Sequence, residues 1–372
     1  MIKTIWVSPL NYDLVKKEII EITRRKPSSS LPPQGWLSLY DLCFTFGLID
    51  ILTILRNKAV ESSFAEAEIK TSNISSVELA FRAAIDQSQF KFAKQLLDRL
   101  EKLIIDPNEF KNYKIYYLIQ SGQYKPEEFE NYSFFGKKNK NLSFQNLIEG
   151  KTIAVVGPAP DDGLTGEEID SYDIVVRANY QGYGQFNNPE VYGSRTDVSY
   201  YSGFDSNQIN KNKNYLFLND LKACAFKEFK HPFQLKLLND GIAHKMIRPK
   251  LIFNGASLNG LNIIYDLLHY FPSKIKVFKN NLFVSKNPYH KSYRKNHLDN
   301  IGSINGLVPN ERLASHSNHD LLSHFNFLNN LSKTSNIIFD NKLEYTLQMN
   351  IEEYLENLKK TYVTTVVTNI QK

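Results

Sequence analysis

The sequence predicts an α/β protein in which a sheet with helices on both faces is preceded by an α-helical accessory domain. Up to about Leu147, apolar residues recur at helical spacing, whereas from Lys151 onward short β-branched runs alternate with helical stretches. Most of these runs are apolar on both faces, which is typical of buried parallel strands covered by helices. We therefore divide the chain into a helical accessory domain at 1–147, an α/β domain at 148–335 and a C-terminal extension packed on it at 336–372.

The accessory domain contains three stretches of helical periodicity, separated by Pro, Gly and Ser residues that end or begin helices. They are "NYDLVKKEIIEITRRK", "LYDLCFTFGLIDILTILRNKAVESSF" and "SVELAFRAAIDQSQFKFAKQLLDRLEKLI". No fixed repeat period runs through several units, as a helical solenoid would require. The pattern indicates paired helical hairpins.

Six short runs in the α/β domain have the length and composition of strands. They are "KTIAVVG", "YDIVVRAN", "RTDVSYYSG", "NYLFLND", "KLIFNGA" and "KIKVFKN". Between the last two, "LNGLNIIYDLLHYF" places Leu261, Ile264, Leu268 and Phe271 on one helical stripe. Beyond Ser332 we expect one more strand-like piece and a closing helix.

Composition limits the classes of function. The 372 residues are 42% hydrophobic and 23% charged, with a net charge of +6, a mild excess that favours phosphate or anionic surfaces without a nucleic-acid-binding signature. The longest apolar candidate for a membrane span, Leu39 to Leu55, is interrupted by charged residues and Gly47. The first residues lack the pattern of a secretory signal. We expect a cytoplasmic protein, with peripheral contact at the inner face of the membrane as an option.

Metal chemistry has no candidate ligands in the sequence. Cys43 and Cys224 are the two cysteines, too few for a zinc site or a disulfide framework. The chain has no Asp-x-Asp pair, the arrangement that ordinarily holds a divalent ion on a nucleoside diphosphate. We therefore expect no metal and no cofactor.

The strand that ends at Gly157 is followed by the loop "GPAPDDGLTG" and a helix or turn before Glu167. Backbone N–H groups at such a strand–loop–helix junction can hold phosphate. The loop matches neither the dinucleotide pattern nor the P-loop, and the alternative is a tight turn of any α/β fold. Asn179 ends the second strand, and its amide would lie at the carboxyl edge of the sheet, where such folds bind ligands.

The segment "GEEIDSYDIVVRAN" is similar, without a gap, to part of the large motif of the animal-type sialyltransferase family, and "AVVG" before it and "YGSRTD" after it keep the family's order. The matching positions are Gly166, Glu168, Ile169, Asp170, Asp173, Arg177 and Asn179. The family's small motif resembles "NGASLNGLNIIYDLLHYFPSKIKVF", with Ser257 and Gly260 at its helix start. Its very short terminal motif resembles "HDLLSHFNFLNNL" and falls on His319. The aromatic third motif is similar to "NPYHKSYRKN", with Tyr289, His290 and Tyr293 as candidates.

The resemblance covers about 151–331 and departs from the family in two respects. His324 occupies the place of the terminal motif's Glu, and the cysteines that join the large and small motifs are absent, with Ile153 in one of their places. A bacterial relative in a reducing compartment would not keep that disulfide.

The resemblance implies a GT-A-like, Rossmann-like fold and an inverting, metal-independent glycosyltransferase. Its donor would be a CMP-activated acidic keto sugar, sialic acid or Kdo, and its acceptor a glycan or glycolipid of a capsule or lipopolysaccharide pathway, with contact to a membrane or a biosynthetic complex. His319 would be the general base, since the ordinary histidine pKa lies near working pH. The residues expected to bind the donor are Gly157, Pro158, Ala159, Asn179, Ser257, Gly260, Tyr289 and His290.

Several alternatives stay open from the sequence alone. His316 and His324 are near enough to His319 to compete as the base. Ser257 fits a helix cap equally well, and His290 fits aromatic packing. The other functions to consider are a transferase with a different nucleotide-activated donor and a non-catalytic nucleotide-binding scaffold.

Overall fold

A computed structural model of the protein describes residues 12–24, 31–125, 142–182, 188–213, 215–285, 289–290, 293, 318–334 and 336–362. The first part is helical, as predicted, and contains helices α1 to α7. Their bounds are Tyr12–Thr23, Pro33–Thr45, Leu52–Ile69, Ile74–Asp86, Phe90–Leu103, Pro107–Gln120 and Leu142–Ile148. The second predicted stretch is interrupted near Gly47, which has a φ of 75°, and the third near Ser88, with a φ of 55°.

Seven parallel strands form one sheet, so the fold is mixed α/β with a Rossmann-like parallel sheet flanked by helices. Strands β1 to β7 are Thr152–Val156, Ile174–Ala178, Val198–Tyr201, Ala223–Phe226, Ala243–Lys245, Lys274–Phe278 and Ile337–Phe339. Their order across the sheet is β5-β4-β3-β2-β1-β6-β7, and every neighbouring pair is parallel. The chain therefore moves outward from β1 to β5 and then returns to the other side of β1. The crevice between β1 and β6 is the switch point, where folds of this kind bind ligands at the carboxyl ends of the strands.

The remaining helices connect or follow the strands. Helices α8 to α15 are Gly166–Asp170, Pro189–Tyr192, Gly203–Asn212, Pro232–Asn239, Asn259–Leu268, Leu321–Leu331, Asn341–Leu347 and Ile351–Tyr362. Helix α12 is the one predicted from its apolar stripe, and Leu261, Ile264 and Leu268 are buried. No helix in the described part of the chain is both long and apolar enough to cross a bilayer.

Two of the predicted strands are wrong. The run "NYLFLND" contains a 3₁₀ helix at Leu216–Asp220, and "KLIFNGA" is irregular. Both are apolar because their side chains enter the core: Phe217 and Leu218 in the first, Ile252 and Phe253 in the second. The true β4 and β5, "ACAF" and "AHK", escaped prediction because strands that short, with small side chains, carry no clear pattern.

One apolar core continues from the helical part into the sheet, with Trp36 and Phe81 in the same cluster as Val155 and Val176. The closing strand and helix beyond Ser332 are present as β7 and α15. The Tyr354 hydroxyl of α15 donates to the carbonyl of Leu282 at 2.9 Å. The division into three domains stays a prediction.

Candidate functional site

A cavity of about 480 Å³ lies at the carboxyl edge of the sheet. Its wall includes the ends of β1 and β6, the first turn of α12 and residues that follow β4 and β5. Among the candidate residues from the sequence, those that line it are Gly157, Pro158, Ala159, Ser257, Gly260, Tyr289, Tyr293 and His319. Four stretches of chain that are distant in sequence therefore meet around one cavity, at the switch point of the sheet.

His319 is positioned by a backbone carbonyl. Its Nδ1 lies 2.7 Å from the carbonyl oxygen of Ala256, so Nδ1 must carry a proton and donate it. In the neutral ring Nε2 then has the free lone pair, and it has no hydrogen-bond partner among the described residues. Burial lowers the pKa of His319, and the charge of Lys227 lowers it further, while the hydrogen bond to Ala256 opposes the shift. The ring is therefore neutral near pH 7 and able to accept a proton at Nε2.

The segment that carries His319 is held against the loop before α12. The Ala256 N–H donates to the carbonyl of Asn318 at 2.8 Å. A Cβ on Gly255 would lie 2.7 Å from the backbone nitrogen of Asp320, and Gly255 has a φ of +70°. Glycine is therefore required at 255 both for close approach and for its left-handed conformation.

We expect Gly255→Ala to lower the free energy of unfolding by roughly 1–3 kcal/mol, because the backbone must shift and a positive φ is strained for alanine. Chemical denaturation measures the loss. Gly203→Ala is the matched control: Gly203 begins helix α10, and apart from its chain neighbours no atom of the described residues lies within 4 Å of the added Cβ. Equal stability of the two variants would contradict the close packing of Gly255 on Asp320.

Asp320, next to His319, connects this edge of the cavity to the helical part of the chain. One of its carboxylate oxygens accepts from the Tyr40 hydroxyl at 2.7 Å. The other accepts from the Arg56 guanidinium and from Ser323. Arg56 also donates to Asp86 at 2.6 Å, and all three charged side chains are buried. Burial opposes ionisation of Asp320, but Arg56 and the hydrogen bonds from Tyr40 and Ser323 outweigh it and hold the pKa of this carboxyl below its usual value.

His324 is excluded as the general base. Its Nδ1 donates to the Asp320 carbonyl, and its Nε2 accepts the N–H of Leu258 at 3.0 Å. Both nitrogens are therefore occupied, and the ring is fully buried. Burial lowers the pKa of His324 to about 4. At the place where the terminal motif of the sialyltransferase family has a Glu, a neutral histidine thus accepts a hydrogen bond from the residue before α12. His316 lies outside the described residues.

The first turn of α12 presents free donors to the cavity. Leu258 is the N-cap residue and makes no side-chain cap. Ser257 precedes the N-cap residue, and its Oγ donates to the Asn262 side chain at 2.5 Å, so the predicted cap is not formed. Within the described structure the N–H groups of Asn259 and Gly260 have no partner, and both residues line the cavity. Unpaired N–H groups at a helix N-terminus attract anions.

The glycine loop lines the cavity but does not present its N–H groups as expected. The Gly157 N–H donates to the Phe278 carbonyl at 2.8 Å, and the Ala159 N–H to the Lys279 carbonyl at 2.9 Å. Pro158 has no N–H to offer. A Cβ on Gly157 would lie 2.5 Å from the Lys279 oxygen, so this glycine permits the close approach of the two strand ends. The loop therefore shapes the cavity and cannot supply the predicted phosphate donors at 157–159.

Asn179 and His290 are not among the residues that line the cavity. Asn179 is at the end of β2, as predicted, but its side chain is buried and accepts from Gln181 at 3.1 Å. His290 packs on Tyr192, with ring centroids 4.6 Å apart, which is the aromatic alternative. Burial lowers the pKa of His290 to about 4, and Arg177 adds to the effect, so the ring is uncharged at neutral pH and poorly suited to bind phosphate.

The charge of the cavity is positive. No Asp or Glu is among the described residues that line it, whereas Lys227, Arg248 and Lys279 are. Lys279 is neutralised by Asp161, with 2.7 Å between the charged atoms. Sequence reasoning missed Lys227 and Arg248 because they follow β4 and β5, the two strands it failed to predict. The sequence analysis did not single out Arg56, because the sequence does not show which carboxylates an arginine in a helix will pair with.

Comparison with models of known protein families and with curated proteins gave no match to this chain. Among the described residues, no three His, Cys, Asp or Glu side chains are grouped as a metal site would require. The site is therefore interpreted from its own residues.

Proposed function

We propose that the protein is an inverting glycosyltransferase of GT-A-like fold that transfers an acidic keto sugar, sialic acid or Kdo, from its CMP-activated form to a glycan acceptor. One observation carries the proposal: His319 lines the cavity, and its Nε2 has no hydrogen-bond partner within the described structure. No described carboxylate lines the same cavity. The order of the motif-like segments around the same cavity supports it.

The chemistry requires one proton acceptor and a site for a leaving phosphate. The acceptor hydroxyl gives its proton to Nε2 of His319 as its oxygen attacks the anomeric carbon. The bond from that carbon to the phosphate oxygen breaks at the same time, and CMP leaves with the electron pair. The resulting imidazolium is stabilised by the bond from Nδ1 to the Ala256 carbonyl. The free N–H groups of the first turn of α12 stabilise the phosphate charge that develops.

We expect CMP to stabilise the protein against heat, by about 2.7 kcal/mol at a concentration one hundred times its dissociation constant. UDP and GDP serve as matched controls for the nucleotide. Incubation with CMP-sialic acid or CMP-Kdo and glycan acceptors should release CMP. No CMP binding together with no release from any CMP-sugar would reject the proposal, and a preference for UDP or GDP would assign a different nucleotide-activated donor.

We expect kcat/KM to fall on the acid side of its pH profile with a midpoint below about 6.5, the ordinary pKa of histidine, because burial lowers the pKa of His319. Transfer needs the neutral ring, so activity is present above the pKa and is lost as the pH falls through it. A pH series of initial rates with subsaturating donor measures the midpoint. A midpoint above about 6.5 would contradict a base in this environment.

A further inference from the structure

Lys227 and Arg248 place two positive charges at one end of the cavity. Lys227 directly follows β4, and Arg248 comes three residues after β5. These strands pair Phe226 with Lys245, and the Met246 N–H donates to the Phe226 carbonyl, so both cations leave the same edge of the sheet. Strand β4 is three positions from β1, and neighbouring strands are about 4.8 Å apart, which places these backbones on the order of 14 Å from the β1 end.

The first turn of α12 lies at the other end of the cavity. A Cβ on Gly260 would be 3.6 Å from the side-chain nitrogen of Asn280, two residues beyond β6. The cavity therefore has an anion-attracting helix terminus near β6 and a pair of cations near β4 and β5. One phosphate group cannot occupy both positions.

Neither cation has an ion-pair partner in the described structure. The neighbouring acid, Glu228, is held by Lys230 with 2.6 Å between the charged atoms. Lys222, near the start of β4, is paired with Asp197 at 2.8 Å. Lys227 and Arg248 are both half-buried, and no described carboxylate lines the cavity with them. The Glu228 carboxylate acts electrostatically on both cations, but it is exposed, forms its ion pair with Lys230 and does not line the cavity. Two half-buried charges that form no ion pair among the described residues favour an anionic ligand.

A smaller cavity of about 90 Å³ shares Gly203 and Lys227 with the main one. Its lining is polar and charged: the Glu228–Lys230 ion pair lies there, together with His231 and Asn207, whose Nε2 and Oδ1 atoms are 2.9 Å apart. Space for a ligand therefore continues past Lys227, away from the first turn of α12.

We propose that Lys227 and Arg248 form a second anion subsite, which binds a carboxylate group separately from the donor phosphate. The proposal deepens the function proposed above and rests on it for the identity of the ligand. A guanidinium binds a carboxylate through two parallel hydrogen bonds, and an ammonium adds a third charge-assisted bond. The carboxylate belongs either to the donor, where it is attached to the anomeric carbon, or to an acidic acceptor sugar. Lys227 acts electrostatically on His319, which keeps the subsite close to the reacting atoms.

The test compares the wild type with Lys227→Gln, Arg248→Gln and the control Lys245→Gln. Lys245 is exposed at the end of β5 and does not line the cavity, so its substitution removes the same charge from the same edge. Sulfate is titrated at constant ionic strength, with and without CMP, and thermal stabilisation is recorded. We expect both cavity variants to bind sulfate about tenfold or more weakly than the wild type and the control. Equal stabilisation of all four proteins, or none of the wild type, would overturn the subsite.

A second arm identifies the source of the carboxylate by comparing the affinities of CMP and CMP-sialic acid. If the subsite binds the donor, the wild type prefers CMP-sialic acid, and both cavity variants lose that preference while their affinity for CMP is kept. If the preference is kept although sulfate binding is lost, the subsite serves an acidic acceptor. Failure of CMP to bind any of the proteins would reject the proposed function, and the sulfate comparison without CMP would still decide the subsite.

Discussion

Replacing His319 with alanine is expected to reduce sugar transfer by about 10²- to 10⁴-fold, the range that a positioned general base contributes. The affinity for CMP should change little, because in the proposed site the first turn of α12, and not the imidazole, binds the phosphate. Initial rates of CMP release and calorimetric titration with CMP measure the two effects. A variant that loses transfer and CMP affinity together would make His319 a binding residue.

His319→Asn is the matched variant for this test. An asparagine amide can donate to the Ala256 carbonyl as Nδ1 does, but it has no basic nitrogen at the position of Nε2. We expect it to be as inactive as His319→Ala while keeping the local structure. Lys245→Gln, outside the cavity, should keep wild-type turnover. Normal transfer in His319→Asn would remove this residue from the mechanism.

Replacing Arg56 with methionine is expected to lower the free energy of unfolding by about 3–5 kcal/mol, the cost of breaking a buried ion pair by removing one partner. Arg56 is 1% exposed and binds Asp86 and Asp320 together. Burial already raises the pKa of Asp86, an effect that Arg56 only partly offsets. Without the guanidinium both carboxyl groups would stay buried and uncompensated. Urea denaturation with and without the substitution measures the effect.

Arg24→Met is the control for the loss of Arg56. Arg24 pairs with Glu21 on the surface, where both side chains are more than half exposed, and such pairs contribute at most about 1 kcal/mol. Adding Asp86→Asn and Asp320→Asn to Arg56→Met should restore part of the lost stability, since the uncompensated charges are then removed. A loss no larger than that of Arg24→Met would show that the buried network contributes little.

The buried hydrogen bonds and ion pairs of Arg56 also connect the helical region to the site. Tyr40 of α2 and Arg56 of α3 both donate to Asp320, which directly follows His319 and caps α13. Arg56 also pairs with Asp86 of α4. The loop and helix that position His319 are therefore held by the part of the chain outside the motif-like segments. The folded fraction of Arg56→Met should accordingly show reduced turnover beyond its loss of stability.

The sequence predicted secondary structure correctly where the pattern within one segment is enough to define its helix or strand. Helix α12 followed from an apolar stripe, and β1, β2 and β6 from β-branched runs, because burial of these elements leaves a periodic mark on the sequence. The meeting of the Gly157 loop, Ser257 and His319 around one cavity also follows the order of the segments, since parallel strands end at one edge of a sheet.

The predictions failed where the role of a backbone or side-chain group depends on its hydrogen-bond partners. The loop N–H groups at Gly157 and Ala159 bind carbonyls of the β6 end, and Asn179 is buried, although each looks available in the sequence. Phe217, Leu218, Ile252 and Phe253 are buried, although the runs that contain them are not strands. Apolar periodicity indicates burial and not hydrogen bonding between strands.

By itself the sequence determined the class of fold, the helical first part and the histidine that lines the cavity. Only the tertiary structure decided which nitrogen of His319 is free among the described residues, that both ring nitrogens of His324 are occupied, and that Lys227 and Arg248 line the cavity without an ion pair in the described part of the chain. Apolar periodicity and glycine loops depend on residues that are close in the chain, so they can be recognised in the sequence. Hydrogen bonds and charge pairs such as that between Arg56 and Asp320 join residues 264 positions apart, and their partners exist only once the chain has folded.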